Sequence, residues 1–160
     1  MILPLLLLLL VTPAEPRQIS QEELTKLVST YDLTMAKIDG YGAVTAGIAE
    51  WAAANPKPLA ALMARAPKGT STVAASGAVF ESEPAVKALL DRHKITGIDM
   101  VVLPMAVMQA QILVLADQQG RTVPPGPFNP KNVPVVKANG SAIDKVMTKA
   151  RADMARAFGR

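Results

Sequence analysis

Apolar residues recur at intervals of three and four along most of this chain, which is the spacing of one face of an α-helix. In one long segment this spacing is kept by Ile38, Tyr41, Val44, Ile48 and Trp51. No stretch alternates apolar and polar residues over the length of a β-strand. The pattern therefore predicts an all-α fold, a single helical bundle, and no sheet.

Capping and breaking signals set the predicted helix limits. A capping box needs Ser or Thr followed three residues later by an acidic or amide side chain, and Ser20, Thr96 and Ser141 each fit that pattern. Asn129-Pro130 is a further helix start, and Asn139-Gly140 is a predicted break. The predicted helices are Gln21 to Thr30, about Leu33 to Ala54, Pro58 to Arg65, Val73 to Glu81, one from Pro84 through His93, Met100 to Ala116, and a last helix that buries Ile143 through Phe158.

The segment from Met100 to Ala116 contains seventeen residues without a charge, interrupted in hydrophobic character by Pro104, Gln109 and Gln111. A helix that is apolar on all sides must be surrounded. We therefore expect it at the centre of the bundle, with the amphipathic helices packed on it. Seventeen residues is also the lower limit for crossing a bilayer, so a membrane-associated helix stays an alternative.

The N-terminus has the pattern of a signal peptide. Ile2 to Val11 is apolar apart from Pro4, and as a helix of ten residues it would be about 15 Å long, half of a bilayer core of about 30 Å. Thr12-Pro13-Ala14 then offers a cleavage site. The sequence predicts a signal peptide at 1–14, a single mature domain at 15–160, and a periplasmic or secreted location. An uncleaved N-terminal anchor is the alternative.

The composition excludes several chemistries. The 160 residues are 50% apolar and 19% charged, which suits one folded domain, and they include no cysteine. Disulfides, thiolate metal sites, cysteine nucleophiles and a lipid-modified cysteine are therefore excluded. His93 is the only histidine, and Met100, Met105 and Met108 diverge around their helix, so we expect no catalytic residue, no metal and no cofactor.

The positive charge is concentrated near the C-terminus. Of the net charge of +4, residues from Lys131 onward contribute +5, from seven basic and two acidic side chains, and the rest contributes −1. The predicted interaction surface on the last helix consists of Lys145, Lys149, Arg151 and Arg156. It would favour anionic surfaces, although a solvated helix face is the simpler alternative. Nucleic acid is not expected, because no aromatic residues are interleaved with these cations.

Three segments together resemble a group of small exported helical proteins of Gram-negative bacteria. They are Tyr31-Asp32-Leu33-Thr34-Met35, Glu83 through Leu90, and Phe128-Asn129-Pro130-Lys131-Asn132-Val133. The resemblance implies an exported helical protein and carries over no functional residue, since the group has no assigned activity. The chain departs from the pattern at Lys94, where a glycine is expected, and at Pro134.

The sequence thus favours a non-enzymatic periplasmic binding or interaction module. Its partner would be an envelope protein. The alternative is a carrier that holds an apolar small molecule or lipid in a cavity beside the central helix. The two differ in one property, because a carrier needs an internal apolar cavity of at least roughly 300 Å³. The oligomeric state is left open.

Overall fold

Seven α-helices account for nearly all regular structure in residues 18–65, 70–123, 126 and 128–158, which the computed structural model describes. The all-α class is confirmed. The predicted signal peptide lies outside these residues. The helices are α1 (Gln21–Thr30), α2 (Met35–Ala54), α3 (Pro56–Ala64), α4 (Val73–Glu81), α5 (Pro84–His93), α6 (Gly97–Gln118) and α7 (Val133–Ala157).

Side-chain caps determine where these helices begin. The Ser20 hydroxyl accepts a hydrogen bond from the backbone N–H of Glu23 at 3.4 Å, as the capping pattern predicts. Thr96 and Asp99 form a complete capping box at the start of α6. The second helix begins at Met35, two residues later than predicted, because Thr34 is its N-cap.

The start of α3 differs from the sequence expectation, whereas the interior of α7 is irregular at the predicted position. α3 begins at Pro56, since proline fits the first helical position, where its missing N–H is not needed. The predicted break at Asn139-Gly140 falls on a kink, because the backbone of Asn139 (φ −127°, ψ 15°) is non-helical and its side-chain amide donates to the Val135 carbonyl at 2.9 Å. The helix continues directly after this kink within α7 (Val133–Ala157), without a separate start at Ser141.

A two-residue parallel pairing adds a feature that the sequence did not predict. Gln18–Ile19 (β1) pairs with Thr70–Ser71 (β2), and the next N–H, that of Ser20, donates to the Ser71 carbonyl at 2.8 Å. Two residues are too short to produce alternation of apolar and polar side chains. This pairing holds the start of α1 beside the start of α4. It is too short to change the all-α class.

The core lies where α2 packs against α5 and α7, and where α6 packs against α4 and α7. α4 and α6 approach each other backbone to backbone. A Cβ placed on Gly97 would lie 2.2 Å from the Gly77 carbonyl oxygen, so only glycine fits there. The largest fully buried side chains are Ile38, Ile48, Leu90, Leu103 and Ile143.

Candidate interaction site

Only one side of α6 is buried in the bundle. Its inward side chains include Met100, Leu103 and Val107, which are buried against neighbouring helices. The expectation that this helix is surrounded on all sides is therefore wrong. Large apolar side chains on its other side are exposed to solvent: Ile98 (40%), Met108 (45%), Ile112 (45%) and Leu115 (54%).

The outward side chains form one continuous apolar line, which we call the α6 seam. It consists of Ile98, Val101, Met105, Met108, Ile112 and Leu115. Val101 and Met105 are half-buried and connect the exposed members. The intervals are 3, 4, 3, 4 and 3, which is the heptad spacing by which one helix packs along another in a coiled coil.

On its own helix, the α6 seam has polar borders that carry no charge. Gln109, Gln111 and Gln118 lie beside it, and between Asp99 and Asp117 the helix has no ionisable side chain. The Gln111 amide is held by the Asp144 carboxylate of α7 at 2.7 Å. The α6 seam is therefore a narrow apolar stripe that receives no charge from its own helix between Asp99 and Asp117, while Asp144 and the paired Asp117 and Lys137 lie near its C-terminal end.

A surface depression of about 470 Å³ lies between the C-terminal half of α6 and the kinked part of α7. Its apolar lining includes Val114, Leu115 and Val136, and the Lys137 ammonium pairs with the Asp117 carboxylate at 2.6 Å on its wall. The depression is open to solvent. It lies beside the predicted central helix, but it is a groove and not the enclosed cavity that the carrier hypothesis requires.

Two cations of the predicted basic surface are paired with one carboxylate. Asp153 lies between Lys149, whose Nζ is 2.6 Å away, and Arg156, which contacts its other oxygen. These two side chains cover Asp153, which is 2% exposed. The hydrogen bond from Lys149, aided by Arg156, holds the pKa of the Asp153 carboxyl below its usual range.

The four predicted residues do not form a single patch. Lys145, Lys149 and Arg156 are four and seven residues apart and share one side of α7, where Lys145 and Lys149 line an open depression of about 710 Å³. Arg151 faces Tyr41 of α2 instead. Burial raises the pKa of the Tyr41 hydroxyl, and the charge of Arg151 partly offsets that effect.

A polar cluster that the sequence did not predict joins α1 to the first turn of α6. The Tyr31 hydroxyl donates to Asp99 at 2.5 Å, while the Thr96 N–H and hydroxyl both donate to the other Asp99 oxygen at 2.8 Å. Lys37 lies 3.7 Å from this carboxylate and 4.2 Å from the centre of the Tyr31 ring. The capping box indicated one partner of Asp99, but no local signal indicated Tyr31, 68 residues away.

The electrostatics of this cluster favour a structural role. Burial, together with the bond to Asp99, raises the pKa of the Tyr31 hydroxyl far above its ordinary value. Burial opposes ionisation of Asp99, but hydrogen bonds from Tyr31 and Thr96 and the charge of Lys37 lower its pKa overall. Both pKa values move away from neutrality, whereas acid–base catalysis is most efficient with a pKa near the working pH.

Two of the segments that carry the family resemblance contact each other. The Asn132 side chain accepts from the Leu33 N–H at 2.8 Å and donates to the Tyr31 carbonyl at 2.8 Å. The Asn129 amide donates to the same carbonyl at 2.9 Å and to Asp32 at 3.1 Å. The residues Phe128 through Val133 therefore hold the α1–α2 connection in place. This structural role accounts for the presence of Asn129 and Asn132 without a catalytic or ligand-binding role.

His93, the possible metal site and the membrane-spanning alternative are the remaining sequence-based hypotheses. His93 is half-buried in the last turn of α5. In the described parts of the chain, no group of three or more His, Cys, Asp or Glu side chains could hold a metal ion. Within the same residues, α6 is the one helix long and apolar enough to cross a membrane by length and composition, and its inward side is packed in the bundle.

No protein-family profile matches the chain, and neither a curated protein nor a solved structure shows significant similarity to it. The fold and its surfaces by themselves define the class: an all-α helical bundle in which one central helix exposes an apolar side of heptad spacing.

Proposed function

We propose that this chain is a non-enzymatic interaction module of the bacterial cell envelope, and that it binds a helix of its partner along the α6 seam. The observation that carries the proposal is the line of six apolar side chains at heptad spacing, four of them exposed and two half-buried. Contiguous exposed apolar surface of this kind marks interaction sites in folded proteins. The apolar segment Ile2 to Val11, followed by the possible cleavage site Thr12-Pro13-Ala14, supports an exported location.

A site-specific photocrosslinker tests the proposed surface in the living cell. A benzoylphenylalanine in place of Met108 lies on the α6 seam, while one in place of Ala53 lies on an exposed position of α2 and is the matched control. We expect covalent adducts with another polypeptide from position 108 and not from position 53. Equal yields at the two positions, or none at either, would contradict the proposal.

The proposed periplasmic location is tested separately. After osmotic release of the periplasm, the intact mass of the recovered chain should match residues 15–160. Recovery of the full-length mass in the membrane fraction would contradict cleavage after Ala14 and favour an uncleaved anchor. Recovery in the cytosol would contradict export altogether.

A carrier of an apolar molecule is the second candidate, and the depression beside Val114, Leu115 and Val136 favours it. This groove is wide enough for part of a small ligand, but it is open to solvent. Native mass spectrometry of the protein from the periplasm shows directly whether a small molecule is bound. Added mass that disappears on unfolding supports the carrier, and a mass equal to the polypeptide alone opposes it.

The basic side of α7 is a proposed second contact, for anionic surfaces. Lys145 is the residue best placed to bind an anion, because it has no ion pair among the described residues, whereas Lys149 and Arg156 share Asp153. Lys145→Glu should weaken binding to vesicles that contain anionic lipid, and more so at low salt. Arg151→Glu, on the other side of α7, is the control and should have a smaller effect.

A further inference from the structure

We infer that the partner of the α6 seam is α6 of a second copy of this chain, packed antiparallel to the first. The inference rests on the proposed function and names the occupant of the same surface. It follows from three properties of the seam: its register, its charge and its size.

The register of the α6 seam makes it complementary to itself. In an antiparallel pair of helices, each a position packs against a d position of the partner. Ile98, Met105 and Ile112 occupy the a positions of the seam, and Val101, Met108 and Leu115 occupy the d positions. Two antiparallel copies therefore place Ile98 of one copy against Leu115 of the other, with the two central methionines meeting at the two-fold axis.

The charge distribution favours a second copy over a membrane surface. Helices that lie on membranes usually carry Lys or Arg beside the apolar stripe. Within α6 no ionisable side chain lies between Asp99 and Asp117, and Lys137 of α7, which lies near the C-terminal end of the seam, is paired with Asp117. Two neutral stripes approach each other without like-charge repulsion, and opposed helix dipoles favour the antiparallel orientation.

The size of the seam predicts a weak, reversible dimer. A helix of 22 residues is about 33 Å long, and two such stripes packed together bury on the order of 1,000 Å² in total. That area is at the low end for specific interfaces, so we expect a dissociation constant in the micromolar range.

Sedimentation velocity of the purified whole chain tests the dimer. Between about 1 and 200 µM the sedimentation coefficient should rise from that of a monomer to that of a dimer. Met108→Lys with Ile112→Lys, both at exposed seam positions, should weaken association at least tenfold. Ala53→Lys with Ala152→Lys adds the same charge at exposed positions elsewhere and should associate as the wild type does. Circular dichroism checks that all three chains are folded.

The orientation is tested with cysteines, because the natural chain has none. In an antiparallel dimer, a mixture of Ile98→Cys and Leu115→Cys chains forms mixed disulfides under mild oxidation, and each chain alone forms few. In a parallel dimer each chain links to itself. A preference for self-linked products would overturn the antiparallel assignment.

The failure of this inference differs from the failure of the proposed function. A wild-type chain that stays monomeric throughout the concentration range, or a Lys variant that dimerises as the wild type does, overturns the dimer. If the photocrosslinker at position 108 then yields an adduct with a different polypeptide, the interaction surface stands and only its occupant was wrong. If position 108 yields no adduct in the cell, the proposed function fails as well.

Discussion

The two sides of α6 are alike in composition and opposite in environment. The inward side carries Met100, Leu103 and Val107, which are buried against other helices of the bundle. The outward side carries Met108, Ile112 and Leu115, each about half exposed. Hydrophobicity therefore indicates that a side of a helix favours burial, but it does not indicate whether the burying residues belong to the same chain or to a partner.

The intervals between apolar residues distinguish the two sides of α6, whereas their hydrophobicity does not. The outward side keeps strict heptad intervals, which suit a single partner helix running alongside. The inward side is broader and includes glycine and alanine positions, such as Gly97 and Ala110, which let several helices approach. The difference predicts distinct responses to substitution on the two sides.

The largest difference is expected from truncation of one side chain on each side. Leu103→Ala should lower the free energy of unfolding by about 2 to 5 kcal/mol, because it leaves a cavity in a fully buried site. Ile112→Ala should cost less than about 1 kcal/mol in dilute solution, where the outward side is solvated. Urea denaturation of both variants measures the contrast, and equal losses would mean that the seam is covered within the monomer.

The glycine contact between α4 and α6 gives the next largest effect. Gly97→Ala should cost about 1 to 3 kcal/mol, because its Cβ would collide with the Gly77 carbonyl. Gly140→Ala in α7 is the matched control, since a Cβ there meets nothing within 4 Å. It should stabilise the helix by about 0.5 to 1 kcal/mol. Thermal unfolding of the two variants should show shifts of opposite sign.

The Tyr31–Asp99 bond predicts a loss of stability in alkali. The pKa of Tyr31 is raised on folding, so its contribution is fully present below pH 10 and is lost as the unfolded chain ionises above that value. Stability should fall above about pH 10 by up to about 1.4 kcal/mol per pH unit for this group. In urea denaturation at pH 9 to 11, the free energy of unfolding of Tyr31→Phe should fall less steeply with pH than that of the wild type. The remaining slope includes Tyr41 and Lys87, whose pKa values are also raised in the folded protein. An unchanged slope would contradict this account.

The smallest effect concerns the turn that leads into α6. Lys94 has φ 54° and ψ 39°, a left-handed conformation that glycine adopts without strain. Lys94→Gly should therefore stabilise the fold by about 0.5 to 1 kcal/mol. The neighbouring Arg92→Gly, in a right-handed helical position, should destabilise it by a similar amount. Chemical denaturation of both tests whether the left-handed turn is strained.

The helices were largely predictable because their signals are local. Ser20, Thr96 and Gly120 mark helix ends through hydrogen bonds and backbone angles that depend on a few neighbouring residues. Gly120, directly after the C-cap residue Gln119 of α6, has φ 63°, the left-handed conformation in which glycine commonly ends helices. The same local reasoning located the irregularity at Asn139, where the backbone is non-helical, but not the direct continuation of α7 after it.

The site was less predictable because it depends on contacts between distant segments. The pairing of Lys149 and Arg156 with Asp153 was visible as helical spacing, yet whether Arg151 shares their side depends on how α7 is rotated against α2. The bond from Tyr31 to Asp99 and the contact of Asn132 with Leu33 join residues 68 and 99 positions apart. Periodicity contains no information about such pairs.

The packing of α2 against α7 has a consequence for the order of events during synthesis. α2 is complete by residue 54, but the helix that covers it ends at residue 157. α5, which also packs on α2, is complete by residue 93, but the part of α2 that packs against α7 stays open until almost the whole polypeptide has left the ribosome. Closure of the core by contacts so distant along the chain is slow compared with local helix formation. A chain of this topology completes its fold only after its last helix has left the ribosome.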